Sequence, residues 1–398
     1  MVKASRRGAD PLPVRRRNHR FSLACLVACA SAAALLAPAA GARQTATSWA
    51  RTQIKQVVAA GLMARSVASF HANDPLTQTE LDELLPALPS ELASEDDTTT
   101  DPTDTSTDPT STDPTTSTTP SESPPGSPQP GARVIVSAFD AALVDQLGLT
   151  GAATRFRDAA RLAGLSPPKR FGTETVARLL GLRTNHPASQ DKLELLPTDP
   201  ITRAEAAYSV AQVLSFGGGE AQWVDDVSYE FTPPKLNTWQ KRVLNSAANV
   251  VGFPYIWGGT SPSKQTLFGR TVPGGFDCSG LVWRVYKLRR YPGGGRLSAT
   301  IRGRTTYTMS VEVPRSKRIG FKALQPGDVI FFGAAGPRSK SWQITHTAIY
   351  LGDNWFVQSS GEGVDVVPLE GWYRKRFAWA RRPLAEAGLV NVYSVQTS

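Results

Sequence analysis

Apolar residues recur at helical spacing early in the chain. Ile54, Val57, Val58 and Leu62 mark one helix, and Leu81, Leu84 and Leu85 mark a second. Asp74-Pro75-Leu76 breaks the chain between them. Thr77-Gln78-Thr79-Glu80 then opens the second helix, with a Thr cap and a Glu three residues later as in a capping box. The pattern returns downstream. Val176, Leu179 and Leu180 share a helix face, and Asp199-Pro200-Ile201-Thr202-Arg203-Ala204-Glu205 opens a further helix that runs through Val213. Residues 139–149 read as the second half of one more such unit, so this part of the chain is a divergent internal repeat. A helix over 237–251 presents Trp239, Val243, Leu244, Ala247 and Val251 on one face, and another, starting at Ser279, presents Leu281, Val282, Val285, Tyr286 and Leu288. The spacing then changes to that of strands. Residues 329–332, 344–351 and 355–359 are short and mostly apolar, and Gly352-Asp353-Asn354 joins the last two as a hairpin turn.

Composition divides the chain. Residues 94–131 are almost entirely Thr, Ser, Asp, Pro and Gly, with Asp-Pro-Thr recurring. With nothing apolar to bury, they read as a disordered linker that separates a short N-terminal segment from the rest. The first 42 residues read as an export signal: Lys3, Arg6, Arg7, Arg15, Arg16, Arg17 and Arg20, an apolar run over 21–36, and Ala40-Gly41-Ala42 as a small-x-small cleavage site. Leu26-Val27-Ala28-Cys29 offers the competing reading of a lipid anchor at Cys29. No other stretch is long and apolar enough to span a bilayer.

The formal charge of +10 is unevenly spread. Residues 94–131 hold eight acidic and no basic side chains, whereas 236–398 hold 22 Lys/Arg against 8 Asp/Glu. A basic region of that size expects a polyanion nearby. For an exported chain that means anionic wall polymers rather than nucleic acid.

Beyond the leader one cysteine is left, Cys278. An unpaired thiol in an exported protein is a liability unless its reactivity is used. At the first turn of a helix, unpaired N–H groups and the helix dipole are expected to lower its pKa. A cysteine nucleophile needs a base held by a third group. His71 and His186 lie in polar loops without partners, and His19 leaves with the leader. His346, on the second strand, is therefore the candidate base. Side chains alternate along strands, so His346 and Gln358 share a face only if the hairpin loop has an odd number of residues. A three-residue Gly-Asp-Asn loop meets that condition and sets Gln358 diagonal to His346. No metal-ligand spacing occurs and no cofactor is implied.

Two resemblances follow. Thr202-Arg203-Ala204-Glu205 matches the signature of the S-layer homology module, a helical wall-binding repeat, and residues 77–80 keep its Thr and Glu with Gln78 in place of Arg. That resemblance implies wall binding through Thr202, Arg203 and Glu205; the plain alternative is a helical domain with Arg203 solvated. Pro254-Tyr255-x-Trp257-Gly258-Gly259, Phe276-Asp277-Cys278-Ser279-Gly280-Leu281-Val282, Leu324-Gln325-Pro326-Gly327-Asp328 and His346-x-x-Ile349-Tyr350-Leu351-Gly352 together resemble the NlpC-type, papain-like cell-wall peptidases. The implied fold is α+β, with a Cys-bearing helix on an antiparallel sheet that bears the His. The implied activity is cleavage of the γ-D-glutamyl–diaminopimelate bond of peptidoglycan stem peptides. Cys278 would be nucleophile, His346 base, Gln358 the polar third residue, and Tyr255, Asp277, Ser279 and Arg304 the oxyanion and substrate side. The expected division is signal 1–42, helical segment 43–93, linker 94–131, helical region 132–220, peptidase domain 236–384 and tail 385–398, in a secreted, wall-associated monomer. The family often has His where Gln358 stands. Residues 260–275 and 333–343 are longer than its usual links. The rival readings are a wall-binding protein without turnover, and an amidase or acyltransferase on the same scaffold.

Overall fold

The computed structural model describes residues 48–90, 131–186 and 194–390. The leader, Cys29, almost all of the 94–131 stretch and residues 391–398 of the tail lie outside the described residues. Among the described residues no helix is long and apolar enough to cross a membrane.

The upstream half is helical: α1 (Arg51–Ala59), α2 (Gln78–Leu84), α3 (Val136–Gln146), α4 (Thr150–Leu162), α5 (Phe171–Leu179), α6 (Arg203–Leu214) and α7 (Glu220–Glu230). Thr77 caps α2 in a complete capping box, and Thr202 caps α6 by accepting from Glu205 N–H. The corresponding turn before α3 has Ile135 at the cap and no side-chain bond. Three turns nevertheless close on one another. Leu76 N–H donates to Ile201 O at 2.9 Å, Ile201 N–H to Val134 O at 2.8 Å, and Val134 N–H to Leu76 O at 3.0 Å. This cyclic set of backbone bonds ties the three turns together. It also joins segments that the 94–131 stretch separates in sequence. The pieces on either side of that stretch form one unit, because α1 packs on α6 and the turn at Leu76 bonds to both Val134 and Ile201.

Arg203 and Glu205 turn inward, against the expectation that they bind the wall. The Arg203 guanidinium donates to the carbonyls of Phe70 and Met63 and pairs with Glu80. Glu205 is buried and accepts from His186 Nε2 at 2.9 Å. His186 itself is no polar-loop residue, for it is buried and stacked on Trp49 at 4.1 Å. The physical reason is chain closure: Arg203 satisfies carbonyls more than 130 residues upstream, a contact that no local pattern encodes. A charged layer runs deeper still. Arg178 bonds Glu194 at 3.0 Å, and Arg183 lies within 4.0 Å of Asp140, Glu194 and Glu205.

The downstream half opens with α8 (Thr238–Ala248), capped by Asn237. The short strands β1 (Thr260–Ser261), β2 (Gln265–Leu267), β3 (Arg270–Val272) and β4 (Gly275–Phe276) follow, and the 260–275 stretch folds into two small antiparallel pairs, β1 with β4 and β2 with β3. Next come α9 (Cys278–Trp283) and α10 (Thr306–Val311). The sheet is antiparallel in the order β8-β7-β6-β5-β9, formed by β5 (Val329–Gly333), β6 (Ile344–Gly352), β7 (Trp355–Ser360), β8 (Gly363–Pro368) and β9 (Phe377–Arg381), with α11 (Gly371–Arg376) inserted before β9. One sheet face, including Ile349, Val357, Val364 and Val366, joins the main core with α9 and the helical unit. The other, with Phe332, Ala348, Tyr350 and Phe356, forms a second cluster against Phe321 and Tyr373. Phe156 and Phe231 meet Trp355 of β7 at 5.5 and 5.2 Å, so helices and sheet share buried aromatic surface.

The hairpin reaches the expected parity by a different route. The turn holds two residues, Asp353 and Asn354, both with positive φ, which suits the twist of a tight hairpin. A one-residue bulge in β6 between Tyr350 and Gly352 supplies the extra position. Beyond the bulge Ile349 pairs with Val357, which leaves Gln358 diagonal to His346.

Candidate active site

Strand β4 delivers the chain into α9, whose N-cap is Asp277. Its Oδ1 accepts from Gly280 N–H at 2.5 Å and from Ser279 Oγ at 3.0 Å, and its Oδ2 accepts from Gly258 N–H at 2.8 Å. Arg304 closes this arrangement. Its guanidinium donates to both Asp277 oxygens at 3.1 Å, to Ser279 Oγ at 2.7 Å, and to the carbonyls of Gly258 and Gly259. Gly280 has to be glycine, because a Cβ there would run into the Gly259 carbonyl. Asp277, Ser279 and Arg304 therefore spend their hydrogen bonds on one another and on the glycine turn. They hold the start of α9 rather than facing a substrate.

Cys278 is the first residue of α9 and is half-buried. Its Sγ lies 3.4 Å from Thr306 Oγ1 at the start of α10, and the backbone N–H groups of Thr347 and Ser279 are directed toward the sulfur. The thiol thus sits beside the peptide that follows His346. Its pKa departs from expectation. Burial pushes the thiol above its ordinary value and the Asp277 carboxylate adds to this; the Thr306 bond and the two N–H groups pull the other way without prevailing. A helix N-terminus favours thiolate, but a buried site costs the anion more. Tyr255 is close enough for Cys278 to help raise its phenol pKa, after burial.

His346 Nε2 and Gln358 Oε1 are 2.7 Å apart. The Gln358 amide nitrogen bonds Tyr373 Oη at 2.6 Å and faces Asp365 Oδ2 at 3.4 Å. When ionised, the Asp365 carboxylate only accepts, which sets the amide nitrogen on that side and its oxygen toward the histidine. His346 Nε2 then carries the proton, and Nδ1 is left as the basic nitrogen. Burial lowers the His346 pKa, opposed by the Gln358 bond and the Asp365 charge. Burial also raises Asp365 to about 7, against the pull of Arg178. Arg178 comes from α5 of the helical unit. It donates to Gly252 O at 2.7 Å and packs on Gly363 at the start of β8. The pattern of the sequence pointed to Cys278, His346 and Gln358. It missed Tyr373, which gives no periodic signal, and Asp365, which the alternation of β8 sets opposite Gln358.

The glycine turn, the Cys-bearing helix start and the strand-borne histidine coincide with a match to a family model: residues 252–382 fit the NlpC/P60 family. These residues are an NlpC/P60 domain. Among curated proteins the chain is 31% identical over 144 residues to the probable peptidoglycan endopeptidase LytE of Bacillus subtilis, covering 35% of this chain and 34% of that protein. It is 30% identical over 152 residues to the murein DD-endopeptidase MepH of Escherichia coli, covering 37% and 47%. The chain thus spans less than half of each of these relatives. A solved NlpC/P60 family structure from Bacillus cereus is 26% identical over 36% of this chain and 40% of its own, with a TM-score of 0.28. The NlpC/P60 domain shares the mixed helix-and-antiparallel-sheet architecture expected of a papain-like fold.

Proposed function

We propose that this protein is a secreted, wall-associated peptidoglycan hydrolase that cuts stem peptides at the γ-D-glutamyl–diaminopimelate bond. One observation carries the reading: a thiol at the start of α9 lies beside a strand whose histidine has its basic nitrogen fixed by Gln358. His346 Nδ1 takes the thiol proton as sulfur attacks the amide carbonyl. The Tyr255 hydroxyl and backbone N–H groups around Cys278 hold the oxyanion. Protonated His346 then gives its proton to the departing amine, and water attacks the thioester to release the acid and restore the thiol. The names of LytE and MepH support a peptidoglycan substrate.

The second reading is a wall-binding protein without turnover. Incubation of the protein with a defined muropeptide separates the two by its products. An amidase or acyltransferase on this scaffold would give products of different mass. With Arg203 and Glu205 turned inward, retention at the wall falls to another surface.

A further inference from the structure

Strand β9 is an edge of the five-stranded sheet. Three basic segments gather around it. Residues 315–322 run past its end, where Ile319 bridges to Ala380. Residues 338–340 follow a turn in which Gly336 lies against the backbone of Lys375. Residues 374–376 belong to α11. Together they carry nine Lys and Arg side chains, of which all but Arg318 and Arg376 are exposed. Across residues 313–345 and 371–382 the only acid is Asp328, which is buried and bonded to Arg382 at 2.8 Å. No ion pair neutralises any of the nine among the described residues.

Three of the arginines stack on rings, with Arg376 lying 4.5 Å over Trp372. Arg318 lies 3.6 Å over the Trp379 ring, and Arg374 lies 3.4 Å over Phe321. A guanidinium stacked on a ring loses little freedom on binding an oxyanion, although Arg318 already spends one N–H on Ser341 Oγ at 3.2 Å. The arrangement carries a cost, since burial and the neighbouring Arg315 hold Arg318 below its ordinary pKa. The bland account is that charge keeps the edge strand β9 from pairing with another chain. That account asks for a few cations on the strand itself. It does not ask for three separate segments, or for guanidinium groups held on aromatic faces.

We infer that this rim binds a linear phosphodiester polyanion of the cell wall and so holds the protein at its substrate. Arg favours phosphate through paired N–H groups, and a repeating polymer matches a row of cations without a shaped pocket. Nucleic acid shares the phosphodiester chemistry, but an exported chain meets wall polymers instead. The inference rests on the export part of the proposed function and not on turnover.

The test uses the full chain without its leader, with synthetic poly(glycerol phosphate) as probe and poly-L-glutamate and duplex DNA as competitors. Wild type is expected to bind poly(glycerol phosphate) with a log–log salt slope of about −3 to −4, taking ~0.7 per phosphate neutralised on a flexible strand. A variant carrying Arg315→Gln, Arg338→Gln, Lys340→Gln and Lys375→Gln is expected to bind at least about tenfold more weakly, with a shallower slope and the same melting temperature. Binding equal to wild type overturns the inference, as does equal competition by poly-L-glutamate or preference for duplex DNA. A variant that self-associates while still binding the polymer also overturns it and leaves edge protection as the role of the cations. Binding is read without cleavage, so this inference and the hydrolase reading fail separately.

Discussion

Gln358 Oε1 accepts from His346 Nε2 at 2.7 Å, and Gln358 Nε2 is held in turn by Tyr373 and Asp365. The amide thereby fixes which imidazole nitrogen is basic without carrying charge itself. Gln358→Ala is expected to lower kcat/KM about 10- to 100-fold, less than the ~10²–10⁴ lost when general acid–base catalysis disappears. Gln358→His, which restores a ring partner, is expected to recover part of the loss. Steady-state rates on a soluble muropeptide check both, and an unchanged rate for Gln358→Ala removes the residue from the account.

The pH profile follows from two burial effects of opposite sign. His346 titrates below its ordinary 6.5 and Cys278 above its ordinary 9.0. Between these limits both groups are neutral, which is the state from which His346 takes the thiol proton. Activity is expected to rise below pH 6.5 and stay level to beyond pH 9. The Gln358 bond raises the His346 pKa, so Gln358→Ala is expected to move the acid limb still lower. Profiles of kcat/KM against pH measure this, and an acid limb that moves up contradicts it.

Arg178, paired with Glu194 inside the helical unit, ties that unit to the NlpC/P60 domain through the Gly252 carbonyl. Arg178→Met leaves Glu194 and Glu174 buried without their main cation. Breaking a buried pair in this way costs about 3–5 kcal/mol. The expected result is a single unfolding transition at markedly lower temperature, partly restored by adding Glu194→Gln. Calorimetry that finds two transitions in wild type contradicts the shared core.

Much of this was legible in the sequence. The spacing around Leu281 and Val282 put Cys278 at a helix start, and strand alternation put Gln358 diagonal to His346. The rest depended on contacts between residues distant in sequence. The direction of the thiol pKa follows from burial, which spacing does not reveal. Arg203 looked like a surface residue because its partners, Phe70 and Met63, lie across the 94–131 stretch. The hairpin kept its parity through a bulge at Tyr350–Gly352 that Gly352-Asp353-Asn354 alone does not specify.

Asp365 gives a stability test. Its folded pKa is about 7 against an ordinary 3.8, so the folded state keeps a proton that the unfolded chain has lost. The stability it contributes is present below pH 3.8 and is lost as pH rises through 7. Asp365→Asn is expected to raise the melting temperature at pH 8 and to change it little at pH 3.5. Asp140 and Asp328, raised to about 7 and about 6, keep part of the slope. A variant less stable than wild type at pH 8 contradicts the buried, proton-holding carboxyl.

The central claim is that the Cys278 sulfur performs the cut. Wild type and Cys278→Ala should be incubated with a purified diaminopimelate-containing muropeptide, and the products identified by mass spectrometry. The account predicts that wild type releases fragments split between D-glutamate and diaminopimelate, and that Cys278→Ala leaves the muropeptide whole. Intact substrate with wild type, or equal cleavage by both proteins, contradicts it.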